Sequence, residues 1–418
     1  SYLIRDDVSG NLIGLRLVAA AERGVRVRLL MDDALTQDID AGLISIDDHP
    51  NIEVRVFNPF PRRRSRLISF IANFNVLNRR MHNKSFTIDN QVTIVGGRNL
   101  ADEYFLSGGK TEFIDEELLA IGSVVDDVSD GFDEYWNARE AIPISVFDSM
   151  VAHSSIAESM EQGRQYIEQH ANAQFLADVD SSLALELLQK KLPMLPADAA
   201  LVLDYPDKIR LLPPRPASIT TVFLQQMVAA AQEELIVISP YFVPEKQGVE
   251  FFGSLVKRGV RVVIISNSLA STNHSSVHAV YARYRKPLLK RGIELYELRP
   301  QIDTLNTTTT VTLHSKIAVV DRLRLFVGSF NLDPRSLYLN TEMGLVVDSE
   351  QLAGEMAMSI VEALPDNAYQ LQLSRKGRLQ WLLRASGGNE IITTEPMTTW
   401  WRRFWTRLMS YLPIEGQM

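Results

Sequence analysis

Two histidines in this chain, His82 and His314, each stand two residues before a lysine (Lys84, Lys316) and seven before an aspartate (Asp89, Asp321). A Gly-(Gly/Ser)-x-Asn stretch follows each, with Gly96, Gly97 and Asn99 in one place and Gly328, Ser329 and Asn331 in the other. On a strand, residues i and i+2 point to the same side, so each imidazole is offered together with an ammonium. The glycines end buried-type runs, VTIVGG and LFVGS, where backbone can approach a ligand and the asparagine adds a side-chain donor. Two such sets converging on one pocket suit phosphodiester cleavage through a covalent intermediate. The lysines and asparagines clamp non-bridging phosphate oxygens, where negative charge spreads in the transition state. One neutral imidazole attacks phosphorus in line; the other, protonated, gives its proton to the leaving alcohol and then takes one from the incoming nucleophile. The residues alone do not choose which histidine plays which part.

Each imidazole also needs a carboxylate on its other nitrogen. Glu342, in YLNTEMG, is the candidate in the second set, and Asp115, in EFIDEELL, has the comparable place in the first, with Glu116 and Glu117 as competitors. Asp89 and Asp321 are carried as catalytic candidates because the repeated pattern contains them. Their position just ahead of the next strand equally suits a turn-forming aspartate that faces away from the pocket. His274 and His278 have the i, i+4 spacing of a helical metal pair, but no third ligand stands nearby, so a polar contact at the pocket mouth or plain packing is expected.

Both sets close the same series of elements. RGVRVRLL (23–30) and RGVRVVII (258–265) each follow a helix-like segment, NLIGLRLVAAAE and GVEFFGSLVK, and read as strands after an Arg-Gly helix end. NIEVRVFNPF (51–60) and RGIELYELRP (291–300) supply a second strand, and HNKSFTID (82–89) and HSKIAVVD (314–321) a third. The chain therefore contains one α/β unit twice. The expected fold class is α/β: two homologous α/β/α sandwich units packed about a pseudo-twofold axis, with a single active site at their interface. The divisions read from the sequence are a first unit at 1–165, a helical connection at 166–204 punctuated by Pro193 and Pro196, a second unit at 205–365, and 366–418. That last part combines a β-meander (AYQLQL, GRLQWLL, NEIITT, with turns at Lys376-Gly377 and Gly387-Gly388) and a tail. The helix and strand in ITTVFLQQMVAAAQEELIVIS (219–239) have no counterpart before Ser1, so the first unit is expected to lack its N-terminal helix and strand, as in a truncated or processed chain.

Composition narrows the classes. With 418 residues, 46% hydrophobic and 22% charged, the chain has the make-up of a folded protein of two or three domains. No apolar run approaches the roughly 18 residues that span a bilayer as a helix. The net charge of −8 argues against a surface that tracks nucleic acid throughout. The absence of cysteine excludes disulfide scaffolds, thiolate zinc sites and cysteine nucleophiles.

The duplicated His-x-Lys-x4-Asp pattern resembles the phospholipase D superfamily over essentially the whole chain. NRRMHNKSFTID, VGGRNLADEYF, FIDEELLAIG, VHAVYARYRKPL, GSFNLDPRSLYLNTEMG and LPIE resemble bacterial cardiolipin synthases, the C type above all. The resemblance implies a phosphatidyltransferase in which His82 becomes a phosphohistidine and His314 is the acid/base, with no metal or other cofactor. It implies phospholipid partners, phosphatidylglycerol first and phosphatidylethanolamine second, and a peripheral place on the bacterial cytoplasmic (inner) membrane. The alternatives are a phospholipase D or phosphodiesterase with water as acceptor, and a lipid-binding scaffold on a retired fold.

Two segments bear on the membrane. PRRRSRLISFIANFNVLNRR (61–80) sets six arginines around an apolar centre, as either a solvated helix covering the core or a segment resting on anionic lipid. In TTWWRRFWTRLMSYLP (398–413) a helix would place Trp401, Phe404, Trp405, Leu408 and Leu412 on one face and Arg403, Arg407 and Ser410 on another, the composition of an interfacial helix, with docking on the second unit as the alternative.

Overall fold

A computed structural model of the chain describes residues 2–36, 39–60, 74–105, 111–180, 186, 189, 191–210, 218–301, 310–385 and 388–411. The first half runs α1 (Val8–Glu22), β1 (Val27–Asp32), α2 (Asp40–Asp47), β2 (Ile52–Phe57), β3 (Ser85–Ile88), β4 (Val92–Gly96), β5 (Thr111–Ile114), β6 (Glu117–Ile121), α3 (Val124–Trp136) and β7 (Ala141–Pro143). Next come α4 (Ile156–His170), α5 (Ala173–Asp180) and β8 (Asp198–Leu203). The second half runs α6 (Ile219–Ala229), β9 (Glu234–Ile238), α7 (Glu245–Lys257), β10 (Arg261–Asn267), α8 (Ser275–Tyr281), α9 (Arg285–Lys290), β11 (Glu294–Leu298), β12 (Thr310–Leu313), β13 (Ile317–Val320), β14 (Arg324–Gly328), α10 (Pro334–Tyr338), β15 (Met343–Asp348) and α11 (Glu350–Asn367). It ends with β16 (Ala368–Leu373), β17 (Leu379–Ala385), β18 (Gly388–Ile392) and α12 (Trp400–Met409).

The second half forms one sheet in the order β18-β17-β16-β11-β10-β9-β13-β14-β15-β8, parallel from β11 to β9 and antiparallel elsewhere. Val237, Val262 and Ile264 pack toward α6 and α7, whereas Ile236, Val263 and Ile265 pack toward α11. Burial on both faces is the reason these strands read as unbroken apolar runs. In the first half, β1-β2-β7 and β3-β4-β6 are separate sheets. β9 joins the counterparts of β1 and β3 in the second half, and among the described residues no strand takes that place in the first. The units meet where Val95, Val124 and Val128 pack on Met343, Leu345 and Val347, and where β5 pairs in parallel with β12.

Several expected divisions need correction. α4 crosses residue 165 and packs, with Phe175 of α5, on Val8 of α1, so both helices belong with the first unit. The stretch 198–203, read as the end of a helical connection, is a strand paired antiparallel with β15. Its short alternation is ambiguous in isolation, and the waiting edge of β15 decides it. The meander is no separate module: β16 pairs with β11 and continues the second unit's sheet. Residues 61–73, most of the arginine-rich segment, lie outside the described residues.

Candidate active site

Each histidine is hung on the other unit. Beyond the β5–β12 pair, Ile114 O accepts from His314 N at 2.8 Å and Ser315 N at 3.0 Å. Reciprocally, Met81 bridges Thr341, whose carbonyl accepts from His82 N at 2.9 Å. The residue after each acceptor is a carboxylate, and so the carboxylates cross over. Asp115 Oδ2 lies 2.6 Å from His314 Nδ1, and Glu342 Oε2 lies 2.9 Å from His82 Nδ1. Sequence position had put each carboxylate with the histidine of its own set; the reciprocal strand pairing reverses this. The competitors point elsewhere: Glu117 pairs with Arg98 at 2.9 Å, and Glu116 is exposed.

Two more groups hold the backbone just ahead of the histidines. Asp32, at the end of β1, accepts from Met81 N at 2.8 Å and from Arg80 Nη1 at 3.2 Å. Asn267, at the matching end of β10, accepts from Leu313 N and donates to Leu313 O, both at 2.9 Å. The His-x-Lys triplets themselves are extended segments leading into β3 and β13, not parts of those strands.

The four basic groups are deeply buried, with His82 8%, Lys84 4%, His314 5% and Lys316 1% exposed. Lys84 Nζ donates to His82 O at 2.7 Å and lies 5.1 Å from the Tyr2 ring centre; Lys316 Nζ contacts His314 O and stands 2.9 Å from His314 Nδ1. Asn99 Nδ2 donates to Tyr104 OH at 2.8 Å, and the side-chain oxygens of Asn99 and Asn331 are buried without a partner among the described residues. The Gly/Ser difference between the sets has a use. A Cβ at Gly97 would stand 2.5 Å from Asp115 Oδ1, whereas Ser329 Oγ donates to Glu342 Oε2 at 2.5 Å. Ser336 Oγ adds a bond to Glu342 Oε1 at 2.7 Å.

Burial is the largest influence on every ionisable group here. It pushes the His82 imidazole below its usual range against the pull of Glu342, and takes His314 down to about 3, with Lys316 assisting and Asp115 opposing. Burial also lowers Lys84 to about 7 and Lys316 to about 8. For the carboxylates burial acts upward but is outweighed: Lys316 and His314 hold Asp115 below its usual value, and His82 and Lys84 do so for Glu342. These shifts favour neutral imidazoles against anionic carboxylates. A nucleophile requires the neutral form, and an anionic phosphodiester opposite the lysines favours protonation of the partner imidazole.

Asp89 and Asp321, carried as catalytic candidates, do not reach the site. Asp321 accepts from the backbone N–H groups of Gln232, Glu233 and Glu234 at the far end of β13, and Asp89 is exposed in the β3–β4 turn at φ 54°. Seven residues carry the chain past the strand to its opposite end, which turns Asp321 to structural work and leaves Asp89 at the surface. Three tyrosines were not foreseen. Tyr2 meets the His82 ring edge-on at 5.0 Å, Tyr104 meets His314 at 5.1 Å with its hydroxyl 3.5 Å from Nε2, and Tyr241 OH donates to Asn273 Oδ1 at 3.0 Å. A tyrosine five residues after Asn99 was the available signal for Tyr104. His274 is exposed with its ring 5.3 Å from Tyr241, and His278 is buried; among the described residues no group of three His, Cys, Asp or Glu could hold a metal ion.

α12 is docked by one edge, as one of the two expectations for the tail had it, and keeps its aromatic side chains exposed. Arg402 donates to Thr272 O at 2.9 Å and Thr406 is buried, so one edge docks beside α8. Trp400, Trp401 and Trp405 remain 60%, 61% and 53% exposed, and Trp400 stacks on Phe404 at 5.4 Å. Leu412 lies outside the described residues. Among the described residues no helix is long and apolar enough to cross a membrane.

Residues 3–136 and 224–362 match the family described as "Cardiolipin synthase, PLD-like domain". Cardiolipin synthase C of Escherichia coli (strain K12) is 42% identical over 431 residues, covering 99% of this chain and 89% of that protein. A Helicobacter pylori (strain ATCC 700392 / 26695) protein of unassigned function is 30% identical over 86% of this chain and 72% of its own length. The crystal structure of phosphatidylserine synthase from Haemophilus influenzae Rd KW20 shares the fold, with a TM-score of 0.58 at 16% identity over 89% of this chain and 81% of that one. One family segment contains His82 and the other His314, and with one relative matching nearly end to end the chain belongs to the cardiolipin synthase family of duplicated phospholipase D-like proteins.

Proposed function

We propose that the protein transfers a phosphatidyl group from one phosphatidylglycerol to another, yielding cardiolipin and glycerol. His82 Nε2 attacks the phosphorus of the first lipid, an N–P bond forms and the glycerol C–O–P linkage opens at the phosphorus, with His314 passing its proton to the departing alkoxide. The hydroxyl of the second lipid then gives its proton to His314 and attacks phosphorus, the N–P bond breaks, and His82 is restored. Lys84, Lys316, Asn99 and Asn331 hold the non-bridging oxygens, and Gly97 and Ser329 shape the carboxylate shelves behind the histidines. The assignment of the nucleophile follows the family. It is supported by Glu342, fully buried and accepting from two serine hydroxyls as well as facing His82, a setting that steadies the cationic phospho-imidazole.

The observation that carries this reading is the crossed pair of His–carboxylate contacts at 2.6 and 2.9 Å around buried lysines. Product analysis with phosphatidylglycerol vesicles tests it: cardiolipin and glycerol are expected, and phosphatidic acid without cardiolipin would transfer the assignment to a hydrolase. Full turnover by the His82→Ala, His314→Ala double variant would remove the mechanism. Addition of phosphatidylethanolamine to the vesicles tests it as second substrate.

The protein is proposed to work peripherally at the inner membrane surface, with the aromatic face of α12 in the interfacial layer and its arginines toward anionic headgroups. Trp401→Ser with Trp405→Ser should reduce cosedimentation with anionic vesicles while leaving turnover of a soluble short-chain lipid intact. Unchanged cosedimentation would refute this placement.

A further inference from the structure

A cavity of about 320 Å³ lies between α6 and α7, floored by Val237, Ala318 and Phe326 and closed at one end by Phe330, Leu332 and Leu337. No residue given a catalytic or phosphate-holding role above lines it. Its size is at the low end of small-molecule sites. Three features say what it would take. First, the hydroxyls that face it are already engaged: Ser239 Oγ donates to Tyr241 O at 2.8 Å and accepts from Leu332 N at 3.0 Å, and Thr221 Oγ1 lies 2.8 Å from Ser218 Oγ. Gln225, Glu245, Gln247 and Tyr338 add polar groups to the lining, but most of the lining surface is apolar, the make-up of a site for an apolar ligand.

Second, the cavity wall shares chain segments with the phosphate-holding residues. Ile317, in its wall, follows Lys316, and Phe330 and Leu332 flank Asn331. Third, α6 runs from the site to the outside with apolar residues on both faces. Thr220 Oγ1 near its start donates to Glu342 O at 3.4 Å, while Ile219, Val222 and Phe223 are exposed beside the cavity. Gln225 and Gln226 are exposed on the same helix, so its outer side pairs polar groups with exposed apolar ones, a composition that suits contact with lipid, and it has no protein over it among the described residues.

We propose that this cavity is an acyl-chain subsite, which takes one fatty acyl chain of the phospholipid whose phosphate is held between the two histidines. The inference rests on the phospholipid reading given above and adds to it a place for the lipid tail. It makes the enzyme sensitive to the chain length of lipid taken as a monomer from water, because each methylene lodged in the cavity leaves water for a fitted apolar space.

Photolabelling tests this without requiring turnover. Vesicles of phosphatidylglycerol with a diazirine midway along one acyl chain are irradiated with the protein, and the labelled peptides are read by mass spectrometry. Label is expected on α6, α7 and residues 330–338 of the unaltered protein and of Gln226→Trp, an exposed control on α6. It should be lost in Val228→Trp, which fills the cavity from the helix, and independently in Ala318→Phe, which fills it from the sheet. In the filled variants KM for monomeric dioctanoyl phosphatidylglycerol, drawn from water below its critical micelle concentration, should rise by about tenfold for every two methylenes excluded, with dihexanoyl phosphatidylglycerol turned over as before. Label confined to α12 or other surface segments of the unaltered protein overturns the subsite, whether or not the variants fold. So do filled variants that retain both the label and the original KM. Label in the cavity of a protein that forms phosphatidic acid alone would refute the transfer reading and leave the subsite standing.

Discussion

Replacing Asp115 by asparagine separates the two histidines by their chemistry. The carboxylate lies 2.6 Å from His314 Nδ1 and is buried, and the amide keeps its volume and an accepting oxygen while discarding the charge. Two unit charges about 4 Å apart at an effective dielectric of about 20 attract by about 4 kcal/mol. Most of this supports the imidazolium, the form that donates a proton, and its loss leaves Lys316 unopposed beside the ring. Retention of the hydrogen bond limits the net cost to about 3 kcal/mol, or about 100-fold in the protonation-dependent step. The assay compares pre-steady-state leaving-group release from phosphatidylglycerol, whose alkoxide must be protonated, with release from phosphatidyl-p-nitrophenol, whose phenolate departs unaided. Asp115→Asn should slow the first by about 100-fold and the second by less than about tenfold. Glu342→Gln, acting on the nucleophile, should slow both alike. An exchange of these patterns would make His314 the nucleophile, and equal defects in both variants on both substrates would refute the division of labour.

Burial brings Lys84 to about 7 and Lys316 to about 8, so the phosphate clamp loses positive charge as pH rises through that range. The kcat/KM for phosphatidylglycerol should therefore fall above about pH 7, Lys84→Arg should move the fall to higher pH, and a profile flat to alkaline pH would contradict the shifts. Gly97→Ser places a Cβ 2.5 Å from Asp115 Oδ1 and should reproduce the leaving-group dependence of Asp115→Asn without a comparable loss of thermal stability; normal kinetics would mean the carboxylate has room to spare. Lys208 Nζ lies 2.7 Å from Asp204, which in turn accepts from Glu342 N at 3.1 Å. Lys208→Met leaves that carboxylate buried and unpaired and should cost about 3–5 kcal/mol in urea unfolding; a loss under about 1 kcal/mol would contradict the pairing argument.

What could be read from the sequence was whatever depends on local spacing. The duplicated strands and the His-x-Lys sets are visible because they repeat at matched spacing, and Asp115 and Glu342 because each follows its own motif in a comparable place. Which histidine each carboxylate serves is decided by Ile114 O and Thr341 O accepting across the unit boundary, contacts between residues two hundred or more positions apart in sequence. Asp32 and Asn267 escaped notice for a related reason: they occupy equivalent strand ends and do the same work with different side chains, so similarity of residue type did not link them. Asp89 and Asp321 show the opposite error, since membership of a repeated pattern suggested chemistry where Asp321 secures the backbone of residues 232–234. β8 was missed because a six-residue strand with no capping signal takes its identity from the edge it joins.

The crossed carboxylates have an evolutionary consequence. A site assembled by two identical chains must give both histidines the same neighbours, and neither could then be dedicated to attack without the other following. Joining the copies in one chain lifts that constraint. Position 97 stays glycine and leaves Asp115 its space, while position 329 carries a serine hydroxyl that fastens Glu342. Covalent fusion thus makes it possible for mutation to tune one half-site at a time, and the pairs Gly97/Ser329, Asp115/Glu342 and Asp32/Asn267 are places where the two halves differ.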